Sequence, residues 1–95
     1  MGYTHYTNYI VIAEFCDYTT HTFYPDTKKD LECILNACVY NWCHNPNIIW
    51  ETGEPPKRKK LFKECMESKD FGEIAIVFEF DKEKNCYFEW GTQNE

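Results

Sequence analysis

The sequence predicts an α+β domain: an antiparallel sheet with two helices packed on one face, in the order ββ-α-α-ββ. Three observations point there. Runs of β-branched and aromatic residues lie toward both ends of the chain. Two segments with apolar residues at helical spacing fill the middle, and Pro or Gly marks the passage from one kind of segment to the other. With 95 residues and 11.4 kDa, only one domain fits, spanning 1–95. A chain of that size buries roughly 60–70% of its unfolded surface around a single core.

Residues 9–16, Tyr-Ile-Val-Ile-Ala-Glu-Phe-Cys, carry strand-forming side chains. Residues 18–24, Tyr-Thr-Thr-His-Thr-Phe-Tyr, read as a second strand, with Asp17 in the turn between them and Pro25-Asp26 ending the sheet. The first helix has the clearest signal. Thr27 and Asp30 fit a capping box with Asp in place of Glu, and Asp26 is an alternative cap. Leu31, Ile34, Leu35, Cys38, Val39 and Trp42 then recur at i, i+3, i+4, i+7, i+8 and i+11, one apolar stripe that Asn45-Pro46 stops. Residues 47–56 connect the helices, and Ile48, Ile49 and Trp50 predict either a short edge strand or a flap over the core.

A second helix is expected from about Pro56 to Lys69, with Gly72 just past its end and Leu61, Phe62, Cys65 and Met66 as its buried stripe. Glu73 to Phe80 and Cys86 to Gly91 alternate as a hairpin around the polar loop 81–85. A five-residue loop sets Phe80 opposite Cys86, Phe78 opposite Phe88 and Ile76 opposite Trp90, all on one face with Ile74, leaving Val77, Glu79, Tyr87 and Glu89 on the other.

Composition excludes several classes of function. Aromatics are 18% of the chain, too many for a disordered tail, and four Gly with four Pro do not make a low-complexity sequence. A net charge of −6 opposes wrapping duplex DNA on a broad basic face. No apolar run approaches the roughly 18 residues of a membrane span. Met1 to Tyr6 have neither a basic leader nor an apolar core, so the expected location is the cytoplasm of the host cell.

In that reducing compartment the six cysteines are expected as free thiols, with Cys33 and Cys38 acting as small apolar residues of the first helix. Zinc is the competing reading, because Cys33, Cys38, Cys43 and His44 fall within twelve residues. A five-residue step turns successive Cys about 140° apart on a helix, and the chain has no Cys-x(2–4)-Cys knuckle. No metal and no cofactor are expected.

No catalytic residue is assigned. Ser68 is the sole serine, the glycines are scattered at 2, 53, 72 and 91 without forming a phosphate loop, and the acids spread as a solvating charge spreads. A Cys nucleophile, Cys16 or Cys43 with His5, His21 or His44, is the enzymatic alternative. The charge pattern says more. Residues 57–63, Lys-Arg-Lys-Lys-Leu-Phe-Lys, hold five of the ten bases and open the second helix, where the helix dipole favours acids. Either this block is a solvated face answering the protein's own acids, or Lys57, Arg58, Lys59, Lys60 and Lys63 contact an anion such as RNA, a nucleotide or an acidic protein surface. Residues 56–60 also fit a nuclear localisation signal should the host be eukaryotic. The seven tyrosines, Tyr3, Tyr6, Tyr9, Tyr18, Tyr24, Tyr40 and Tyr87, exceed what one small core takes up, and some are expected to cluster on the N-terminal strands as contact surface.

The opening Gly2-Tyr3-Thr4-His5-Tyr6 resembles the start of a group of small phage and prophage proteins that begin Met-Gly-Tyr-Thr-His-Tyr; Trp usually follows there, and Thr7 follows here. The match spans about six residues and transfers no site residue; it implies a mobile-element origin. In type, a short acidic chain without catalytic signature is similar to phage inhibitors of bacterial defence, anti-CRISPR proteins included. The expected function is therefore a binding protein that inhibits a host nuclease or defence complex by occupying its surface. An acidic face would compete with nucleic acid, and exposed aromatics would anchor the contact. A nucleotide-sequestering protein using Lys57 to Lys63 is the alternative, and a Cys-nucleophile enzyme the next.

Overall fold

In the computed structural model, which describes residues 7–91, four strands and two helices follow the predicted order. They are β1 (Tyr9–Glu14), β2 (Thr20–Phe23), α1 (Lys28–Cys43), α2 (Arg58–Ser68), β3 (Ile76–Asp81) and β4 (Cys86–Glu89). The strands form one antiparallel sheet in the order β2-β1-β3-β4, so the N-terminal strand lies inside and the two hairpins flank its long-range pairing with β3. No described helix is long and apolar enough to cross a membrane.

The β1–β2 turn is built by Asp17, whose Oδ1 accepts from the Thr19 amide at 3.1 Å and from Thr19 Oγ1 at 2.5 Å, while Tyr18 takes a left-handed conformation at φ 65°. Helix α1 starts at the predicted cap: Thr27 Oγ1 accepts from the Asp30 amide at 3.0 Å. Its Leu31, Leu35, Cys38 and Val39 are buried against Val11 and Ala13 of β1 and Val77 of β3, with Ile34 and Trp42 at the margin. Each large side chain buried there contributes about 1.5–3 kcal/mol. Cys33, expected among the apolar residues, is exposed; it lies more than half a turn from Leu31 on the outer side of the helix. Helix α2 packs chiefly on α1 and gives Cys65 to the core, with Leu61, Phe62 and Met66 partly buried beside it.

Three expectations are corrected. First, α2 begins at Arg58, and its stop is not Gly72. Lys69 adopts the left-handed conformation (φ 53°), and the amides of Lys69 and Asp70 donate to the Met66 and Cys65 carbonyls, a Schellman ending. Gly72 belongs to the following turn, where its amide donates to Asp70 Oδ1.

Second, the C-terminal hairpin is shifted by one residue. Asp81 pairs with Cys86, Phe80 with Tyr87, Glu79 with Phe88 and Phe78 with Glu89. The Asp81 carboxylate accepts from the Glu83 and Lys84 amides, and Asn85 takes φ 55°. Asp81 therefore ends the strand and 82–85 close the loop, one residue shorter than predicted. A slip of one residue exchanges the faces: Val77 (2% exposed), Phe88 and Trp90 face the helices, and Ile76 (43% exposed) is turned away. Third, residues 47–56 form no strand. They form an irregular segment, the flap, whose Trp50 meets Trp42 at the margin of the core while Ile49 points out at 94% exposure.

Candidate binding site

The flap is held at both ends and in the middle. At its start the Asn47 amide donates to Asn45 Oδ1 (2.8 Å), Asn47 Nδ2 reaches the Cys16 carbonyl (3.0 Å), and the Ile48 amide donates to the Asn45 carbonyl. In the middle Trp50 meets Trp42 of α1 edge-on, with centroids 6.3 Å apart. Beyond it, the Gly53 amide bonds the Trp50 carbonyl, Gly53 itself sits at φ 87°, and Thr52 Oγ1 donates to the Glu54 carbonyl. Pro55-Pro56 then lead into α2. Ile49 is thus a bare aliphatic side chain on a tied-down segment, with Glu51 and Glu54 close by in the chain.

Pro56 joins three surface hollows. One of about 670 Å³ lies along the flap and is lined by Ile48, Ile49, Trp50 and Lys57 among others. One of about 360 Å³ sits at the start of α2 between Pro56, Lys57, Lys60, Leu61 and Glu64. The third, of about 380 Å³, runs between Trp42, Leu61 and Cys65 and the Phe71–Ile74 turn. Together they make a mainly apolar strip meeting at Pro56, bordered by Glu51 and Glu54 on the flap, by Lys57, Lys60 and Glu64 at the start of α2, and by Asp70 and Glu73 past its end.

Within the basic block, Arg58 is set apart from the lysines. Lys57 is the N-cap of α2, yet no side chain caps the helix and its first turn contains no acid. Lys57 and Lys60 share the middle hollow with Glu64. Arg58 is turned the other way: its guanidinium lies over the Tyr40 ring at 5.2 Å, and Tyr40 in turn stacks on His44 at 4.1 Å. Arg58 thus ties the start of α2 to the end of α1. Lys59 and Lys63 are exposed, and Lys63 lies one turn on from Lys60, so the four lysines follow one another around one side of the helix.

The thiols follow burial. All six are unbridged; Cys33 and Cys86 are exposed, Cys16 is half-buried, and Cys38, Cys43 and Cys65 are buried. Burial pushes the Cys38 thiol up to about 11 and raises Cys43, with Arg58 opposing the shift in Cys43. Cys65, which borders the strip, is raised by burial and by the nearby Asp70 and Glu64 carboxylates. These three are held as protonated thiols, the opposite of an activated nucleophile. Among the described residues, no group of three or more His, Cys, Asp or Glu side chains is placed to hold a metal ion. His5, Tyr3 and Tyr6 lie outside the described residues. Of the other tyrosines, Tyr18 and Tyr24 at the two ends of β2 are the most exposed, at 72% and 61%.

One chain of contacts went unread in the sequence. Asp17 Oδ1, Thr19 Oγ1 and His21 Nε2 are linked at 2.5 and 2.7 Å, and the Phe15 ring lies against the imidazole at 4.5 Å, tilted by 30°. The i, i+2, i+4 spacing of the three polar residues was the available signal. The hydrogen bonds from Thr19 lower the Asp17 pKa. Compared with family models, curated proteins and solved structures, the chain finds no match.

Proposed function

We propose that this domain is a binding protein that acts by occupying the surface of a protein partner, with the flap and the Pro56 strip as its contact. The observation that carries the proposal is Ile49: a fully solvated aliphatic side chain on a segment anchored by Asn47, Trp50 and Pro55-Pro56. Leaving it in water forgoes about 1.5–3 kcal/mol that a complementary pocket returns on binding. Because the flap is already ordered, little conformational entropy is lost when the contact forms. Glu51 and Glu54 beside an apolar anchor suit a partner surface with basic groups at its rim, such as the channel of a nucleic-acid-processing complex. Together with the phage-like opening residues, this supports a mobile-element inhibitor of host defence that excludes nucleic acid from its target.

The test is co-precipitation from host lysate with wild type, Ile49→Asp and Glu51→Lys/Glu54→Lys. Wild type is expected to retain a partner that both variants lose while their circular dichroism is unchanged. Equal capture by all three would refute the flap as the contact.

A second reading has its own support. Lys57 and Lys60 share a hollow with the uncapped start of α2, where unsatisfied amides and the dipole favour an anion; Glu64 in the same hollow opposes it. A nucleotide-sequestering role predicts saturable nucleotide binding by calorimetry, abolished by Lys57→Glu/Lys60→Glu. No heat with the wild type removes that reading.

A further inference from the structure

β2 is an edge strand, since the sheet order places it outermost beside β1. The β1–β2 hydrogen bonds fix which of its backbone groups are spent. The Phe15 amide donates to the Thr19 carbonyl and the Tyr9 amide to the Pro25 carbonyl, so the odd-numbered residues of β2 turn their backbone toward β1. The N–H and C=O of Thr20 and Thr22 therefore point to the open edge. Edge strands are normally guarded by Lys, by Pro or by a bulge. Residues 18–24 contain no Asp, Glu, Lys, Arg or Pro, in a chain whose net charge is −6.

The segment is also nearly a palindrome. Tyr18-Thr19-Thr20-His21-Thr22-Phe23-Tyr24 reads almost the same in both directions about His21. A two-fold interface needs a self-complementary surface. With the axis through His21, Thr20 meets Thr22 of the partner copy in a hydrogen-bonded pair, twice. That register uses the backbone groups that turn away from β1, and threonine pairs favourably with threonine across strands. The axis also brings Tyr18 toward Tyr24 of the partner copy; these are the two most exposed tyrosines among the described residues. No like charges oppose each other among these Thr and Tyr contacts.

We infer that β2 pairs antiparallel with β2 of a second copy of this chain about a two-fold at His21, joining two four-stranded sheets into one continuous sheet. The pairing is short, so the dimer belongs to the weak end of the interface range and forms at high protein concentration. It involves neither the flap nor the Pro56 strip and stands apart from the proposed partner contact.

The test is light scattering after gel filtration of the full chain under reducing conditions, from about 10 µM to about 1 mM. Wild type is expected to move from 11.4 kDa toward twice that mass. Thr22→Pro removes an edge-facing N–H without touching the bonds to β1, and should remain monomeric with an unchanged circular dichroism spectrum. Thr20→Lys, which places a charge in the pairing, should do the same and covers the case in which the proline variant misfolds. His21→Cys in a Cys33→Ser/Cys86→Ser background should form a disulfide dimer on oxidation, because directly opposed non-hydrogen-bonded residues lie within bridging distance. A wild type that stays monomeric throughout, or a dimer insensitive to both edge variants, overturns the inference. An edge-sensitive dimer that His21→Cys does not cross-link overturns the axis at His21.

Discussion

Helix α2 begins against its own electrostatics, and Lys57→Asp tests what that arrangement costs. Lys57 is the N-cap, already in the extended conformation a capping residue needs (φ −71°, ψ 122°), and the Leu61 amide bonds its carbonyl at 2.9 Å. Only the side chain is wrong: it accepts nothing, and the first turn has no acid. Aspartate there would accept from the Lys59 or Lys60 amide, worth about 1 kcal/mol. Exchanging a cation for an anion at the dipole's positive end adds about 0.3–1 kcal/mol. Together these give a gain of about 1–2 kcal/mol, or roughly 5–12 °C in Tm for a domain of this size. Thermal unfolding followed by circular dichroism reads it, with Lys57→Ala as the control that changes charge without capping. Added salt should erode the dipole part of the gain and leave the capping part. A Lys57→Asp protein that melts at or below the wild-type temperature would refute the account of this helix start. A protein that gains stability and loses partner or anion binding would show why the lysine is kept.

Two further outcomes follow from packing and burial. Ile76→Lys should change stability by less than about 1 kcal/mol, because Ile76 is turned away from the helices, whereas Val77→Lys buries an unpaired charge and should leave the chain unfolded at room temperature; the opposite pattern in urea titrations would restore the five-residue loop. Iodoacetamide should label Cys33 and Cys86 first, Cys16 more slowly and Cys38, Cys43 and Cys65 only on unfolding, and rapid labelling of a buried thiol would contradict the core. The same burial sets an alkaline limit. Cys38 holds its proton to about pH 11 in the folded protein but only to about 8.5 when unfolded, so the folded state binds more protons between those values. Stability from Cys38 is therefore complete below about pH 8.5 and lost as pH rises toward 11, and Cys38→Ala should flatten the decline.

Much of the fold was legible because its signals are local. The Thr27 cap, the stripe from Leu31 to Trp42 and the Asn45-Pro46 stop are read within a few residues of where they act, and α1 follows them. The strand pattern likewise located both hairpins and the α+β class. The hairpin register was not legible, since it turns on whether Asp81 ends a strand or opens a loop. Its carboxylate bonds to two turn amides decide that, and alternating apolar residues on both faces of β3 fit either register equally well. At the end of α2, a lysine in the left-handed position did what glycine was expected to do, because the Cys65 and Met66 carbonyls still found donors.

By itself, the sequence determined the class, the order of elements, the helix α1 boundaries and the presence of five bases at the start of α2. Only the tertiary structure divided those bases, sending Arg58 onto Tyr40 and leaving Lys57 and Lys60 beside Pro56. It also decided that Ile49, apolar and strand-forming, would face water while Val77 took the core. Periodicity gives each element its own faces, but which face meets which neighbour depends on contacts between residues far apart in the chain. Trp50 on Trp42 and Asn47 on Cys16 are such contacts, and no local pattern contains them.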